Sequence, residues 1–130
     1  MTAKFDVIGI VVDDMGKSLA FYRELGLEIP AEKDAEPHVE VELPGGLRLA
    51  FDTVDTIHSF NPEWKPPGGD NRIGLAFLCE SPADVDATYE RLTAKGYHGT
   101  KEPWDAFWGQ RYALVADPDG VEASLFAPNG

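Results

Sequence analysis

The sequence predicts an α+β fold built from a βαβββ module that occurs twice. Three observations predict it. Residues 5–12 (FDVIGIVV) are a β-branched run that leads into a capped helical stretch. The same order returns later in the chain: a shift of 67 residues lays Gly74 on Val7, Tyr89 on Tyr22 and Leu92 on Leu25. Residues 104–128 read as a β-hairpin whose last segment, 120–126, matches 46–52 at a shift of 74.

Taken in order, residues 5–12 place Ile8, Ile10 and Val12 on one face and Val7, Gly9 and Val11 on the other. Asp14 is a helix cap, Met15, Leu19, Tyr22 and Leu25 form a helical stripe, and Gly26 is the stop. Residues 27–31 read as a short strand and 32–37 as a polar loop. Residues 38–43 alternate Val39, Val41 and Leu43 against His38, Glu40 and Glu42, and Pro44-Gly45-Gly46 turns the chain into a strand over 47–52. Residues 53–71 hold Phe60, Pro62, Trp64, Pro66, Pro67, Gly68 and Gly69, the composition of a loop. A strand over 72–79 follows. Ser81 then caps a helix with Pro82 at its first position, ending at Gly96. Residues 97–101 read as a short strand. In the hairpin, Pro118 presets φ and Gly120 supplies a conformation that other residues avoid. The organisation expected is one domain of two modules, about 1–53 and 72–130, joined by a linker over 54–71.

Composition bounds the function. With 23 acidic and 11 basic residues the net charge is −12, which repels nucleic acid and anionic membranes and attracts cations. No apolar run is as long as a membrane span, and the N-terminus reads as a strand, not a signal peptide. Cys79 is the only cysteine, which fits a reducing, cytoplasmic setting. Neither nucleic acid nor a membrane is therefore expected as a partner.

The candidate chemistry is aromatic. Trp104, Phe107 and Trp108 fall within five residues, followed by Gln110 and Tyr112. Such a cluster makes flat walls for a planar ligand, to which Phe60 and Trp64 of the loop are expected to add. His38 and Glu40 share a strand face, as a polar lining or a metal-binding pair. His58 and His98 have no joining spacing. The glycine pairs do not open helices, so no phosphate loop is present, and no Ser-His-Asp arrangement stands out.

The two modules, the helix DDMGKSLAFYRELGLE and the ending WGQRYALVADPDGVEASLF together resemble the vicinal oxygen chelate superfamily, also called the glyoxalase/bleomycin resistance/dioxygenase family. The resemblance covers essentially the whole chain. It implies curved mixed sheets forming a cup-shaped site, helices on the outer faces, and a homodimer. The family's enzymes hold a divalent metal on the first and last strands of each module, positions that fall here on Val7, Gly74, Ala50 and Ser124. None is a competent ligand, and a one-residue slip adds only Asp6, expected to point to the helix side. The expectation is thus a cofactor-free, metal-free binding protein that sequesters a cytotoxic natural product of bleomycin, mitomycin or enediyne type. Its site would use His38, Glu40, Phe60, Trp64, Trp104, Phe107, Trp108, Gln110, Tyr112 and Ser124. Glu40, Glu42 and Glu122 would favour a cationic guest. The alternative is a metal-dependent enzyme using His38, Glu40 and Glu122 or His58.

Overall fold

The structure, a computed structural model, describes residues 2–69 and 71–130. The chain forms two compact units, residues 1–68 and 69–130.

The first unit contains β1 (Val7–Val12), α1 (Met15–Glu24), a 3₁₀ turn (Ala31–Ala35), β2 (His38–Glu42), β3 (Arg48–Thr53) and α2 (Val54–His58). Asp14 caps α1 by accepting the Lys17 N–H at 3.0 Å. The strand order is β1-β3-β2, parallel between β1 and β3 and antiparallel between β3 and β2. The register aligns Ile10, Phe51 and Val39, all buried, and the Tyr22 ring of α1 lies 5.2 Å from that of Phe51. One face of the sheet is therefore committed to the helix. The alternate residues, among them His38, Glu40, Arg48, Ala50 and Asp52, belong to the other face.

Two expectations fail in this unit. Residues 27–31 are not a strand, so among its described residues the unit has three strands in place of four. The cause reaches over from α1: the Arg23 guanidinium takes the carbonyls of Ile29 (2.8 Å) and Pro30 (2.9 Å), and Pro30 has no N–H to offer a ladder. Residues 53–71 are not wholly irregular either, because Thr53 accepts the Thr56 N–H at 3.2 Å and starts α2.

The second unit contains β4 (Leu75–Leu78), α3 (Pro82–Ala94), β5 (Gly99–Ala106), β6 (Gln110–Ala116) and β7 (Glu122–Pro128), the full βαβββ order. Its strands run β4-β7-β6-β5, with β4 parallel to β7 and the other pairs antiparallel. Ser81 caps α3 at 3.1 Å from the Asp84 nitrogen, with Pro82 in the first turn. The helix lies on β5, β6 and β7. Its Val85, Thr88 and Leu92 are buried, as are Ala113, Val115, Ala123, Leu125 and Ala127 of the strands. Gly99 opens β5 where a Cβ would collide with the Tyr89 hydroxyl of α3.

Here the expected hairpin is present, closed by Asp117, but the strand before it is longer than the reading of 97–101. β5 runs on through Trp104, with register shifts between Gly99 and Lys101 and between Lys101 and Trp104. Trp104 therefore sits within a strand. Phe107, Trp108 and Gly109 make the β5–β6 turn, Gly109 at φ +90°.

Candidate functional site

On the second unit's sheet, period-two alternation sends the odd-numbered residues Ala113, Val115, Ala123, Leu125 and Ala127 into the helix side. The even-numbered ones face away from α3. Register sets Trp104 opposite Tyr112, Tyr112 opposite Phe126, Leu78 beside Phe126, and both Ala76 and Leu114 beside Ser124. The rings meet. Tyr112 lies edge-on to Trp104 (5.5 Å) and Trp108 (5.4 Å) and nearly parallel to Phe126 (6.0 Å, 27°). Trp104 and Trp108 stand at 90° to each other, 6.2 Å apart, and Phe107 abuts Trp108 at 5.0 Å. Edge-on pairs of this spacing are favourable through the ring quadrupoles. The Trp108 indole N–H donates to the Gln110 amide oxygen at 2.8 Å, which orients the indole. The Lys101 ammonium sits 4.7 Å over the Trp104 ring, a cation–π contact. Trp108 is 49% exposed and Phe107 97% exposed, far more than packing alone leaves outside.

The first unit has a polar counterpart. His38 Nδ1 lies 2.5 Å from Asp52 Oδ1 and Nε2 lies 2.8 Å from Glu40 Oε2. Arg48 donates to Glu40 and to Asp6, so five side chains from β2, β3 and the entry to β1 form one chain of charges. Asp6 was expected on the helix side; its carboxylate is instead held by Arg48. The hydrogen bonds that His38 donates to Glu40 and then to Asp52 raise its pKa, and those that Glu40 accepts from His38 and then from Arg48 lower that of Glu40. The imidazolium therefore stabilises this unit fully below the ordinary histidine value of about 6.5, and the contribution is lost as pH rises through the raised value. Glu40 acts oppositely: its contribution holds above the ordinary carboxylate range and is lost as pH falls through the lowered value. An NMR titration of the His38 ring should give a midpoint above about 6.5. Stability should decline across that midpoint in the natural chain and not in His38→Gln. An equal decline in both would rule out the His38 network as its source.

The structure thus gathers Trp104, Phe107, Trp108, Gln110 and Tyr112 on one unit, with Ser124 on the same sheet face, and His38 with Glu40 on the other. Phe60 and Trp64 belong to the first unit: Phe60 is 71% exposed, and Trp64 packs on His58, whose Nε2 lies 3.0 Å from the Trp64 carbonyl oxygen. Sequence reasoning omitted Phe126, Lys101, Arg48 and Asp52 from the site. Phe126 had a readable signal, since its strand alternation already set it beside Ser124.

A model of the Glyoxalase/Bleomycin resistance protein/Dioxygenase superfamily matches residues 4–125. The chain belongs to this superfamily. Solved structures agree on the fold of this superfamily member. One from Sphaerobacter thermophilus, described as a member of the same superfamily, is 30% identical, with a TM-score of 0.66 over 97% of this chain and 98% of that one. Another, a glyoxalase/bleomycin resistance protein/dioxygenase family enzyme from Burkholderia phytofirmans, superposes with a TM-score of 0.81 at 16% identity, covering 97% and 99%. The protein YqjT of Bacillus subtilis is 38% identical over 64 residues, 45% of this chain; the match spans half of that protein's length.

Membership in the glyoxalase superfamily raises the question of a metal. The positions that the resemblance assigns to ligands are poor in donors. Ala50 pairs with Gly9 and Glu40, Ser124 with Ala76 and Leu114, and Val7 with Arg48. Both His38 nitrogens point at carboxylates, leaving no lone pair directed at an ion. Among the described residues, no group of three or more His, Cys, Asp or Glu side chains is arranged to hold a metal. These residues do not fit the family's metal. Nor is any helix among the described residues long and apolar enough to cross a membrane.

Proposed function

We propose that this chain binds a planar aromatic small molecule on the second unit's aromatic face and holds it without chemical conversion. It would act as a sequestering, antibiotic-resistance type of member of its superfamily. The observation that carries this reading is the group of five touching rings, Trp104, Phe107, Trp108, Tyr112 and Phe126, of which Phe107 is almost fully and Trp108 half exposed. Each well-placed ring contact contributes about 0.5–1.5 kcal/mol beyond the area it buries. These contacts add to the apolar area that the guest buries, and the two together offset the cost of immobilising it. A metal-dependent enzyme would need donors that converge. His38 and His58 are each engaged by oxygens of neighbouring residues, so no observation favours that alternative.

The test is a titration of tryptophan fluorescence with bleomycin-like, mitomycin-like quinone and enediyne-like compounds. Saturable quenching by at least one class, with no product released, is the expected result. Flat titrations across all three overturn the reading.

A further inference from the structure

We infer that the guest of the aromatic face is an aromatic acid or a similarly acceptor-rich anionic ring system, and not a cation. The inference rests on the reading that this face binds a small molecule, and it reverses what the net charge alone would select.

The cation and the amide set against the rings offer donors. Lys101 reaches over the Trp104 ring with an ammonium that carries three N–H groups and no acceptor. Among the described residues, that ammonium makes no ion pair. Gln110 has its amide oxygen taken by the Trp108 N–H, and an indole N–H can only donate, so the NH₂ of Gln110 is the end left to offer. The hydroxyls of Tyr112 and Ser124 lie on the same face. Register places one carboxylate on this face of β7, that of Glu122, four residues along the strand from Phe126 and so roughly 13 Å away.

A stacked ring on Trp104, Trp108 and Tyr112 would therefore meet an ammonium and an amide N–H, which pair with acceptors on the guest and leave the donors of a donor-rich guest unmatched. The chain's charge of −12 acts in the other direction, but over distance. At physiological ionic strength the screening length is about 8 Å. Carboxylates beyond that length then weigh little against a lysine in contact with the guest. Their effect falls on the rate of encounter rather than on the choice made in contact. Of the two within that length on β5, Asp105 is engaged by Arg111 at 3.3 Å, and Glu102, next to Lys101, is the one that opposes the lysine.

The experiment compares naphthalene-2-carboxylate with 2-(aminomethyl)naphthalene on the full chain in 0.15 M salt, following the indole N–H signals of Trp104 and Trp108 by NMR. The carboxylate is expected to bind about tenfold more tightly, Lys101→Met to remove most of that preference, and Lys101→Glu to invert it. Methionine keeps the apolar stem over Trp104, so packing alone would not move the ratio. Equal or tighter binding of the amine, with both indole signals shifting, overturns the anionic assignment and leaves the aromatic site standing. A preference that survives Lys101→Met overturns the role of Lys101. No indole shift with either compound overturns the aromatic site itself, and this inference with it.

Discussion

Trp108→Ala is expected to weaken binding of a planar aromatic ligand by about 10- to 50-fold, the equivalent of roughly 1.4–2.3 kcal/mol. Trp108 touches Trp104, Phe107 and Tyr112 and is itself half exposed, so it offers a large flat surface to a guest while bearing little of the fold. The same change should cost about 1 kcal/mol of stability at most, because the core beneath the sheet lies on its other face. Phe107→Ala calibrates the comparison. At 97% exposure it should alter stability by less than about 0.5 kcal/mol, so any affinity it loses reports contact with ligand. Isothermal titration beside thermal melts separates the two effects. A Trp108→Ala chain that binds as tightly as the natural one would remove this face from the site.

The second large effect falls on stability. Asp117→Ala should destabilise the chain by about 2–3 kcal/mol, and Asp117→Asn by distinctly less, as read from denaturant midpoints. Asp117 is 4% exposed although it sits in a turn. Its Oδ1 accepts the N–H groups of Asp119 and Val121, each at 2.9 Å. Its backbone N–H donates to the Val121 carbonyl at 2.8 Å, and its carbonyl accepts from Gly120 at 3.0 Å. One residue thus closes the β6–β7 turn at four points, and alanine leaves two part-buried N–H groups without a carboxylate. If the alanine variant unfolds at the natural midpoint, the turn is held by Pro118 and Gly120 instead.

How much of this was legible beforehand depends on the range of the interactions. The two capped helices were readable because Asp14 and Ser81 act on atoms three residues away. The β6–β7 hairpin was readable for the same reason. The missing strand near Ile29 was not, because it was cancelled by Arg23, a residue of the preceding helix. β5 was underestimated because its bulges break the alternation that would have extended it through Trp104. Of the site, the tryptophans and Tyr112 stood out by type and proximity in sequence. Lys101 and Phe126 join them only through strand pairing, and Asp52 and Arg48 reach His38 and Glu40 the same way. A single sequence carries no marker for that pairing. The net charge points to a cation and Lys101 to an anion, because a charge summed over the chain carries no positions.

The irregular register of β5 has a bearing on solubility. An outermost strand beside an almost naked phenylalanine is the arrangement that invites chains to add edge to edge and grow into fibres. Here that margin is kinked twice, interrupted by Pro103, which lacks the N–H a docking strand would need, and studded with Lys101 and Glu102. Along β5 the molecule can therefore leave its rings exposed while denying a neighbouring polypeptide the straight rail along which to zip.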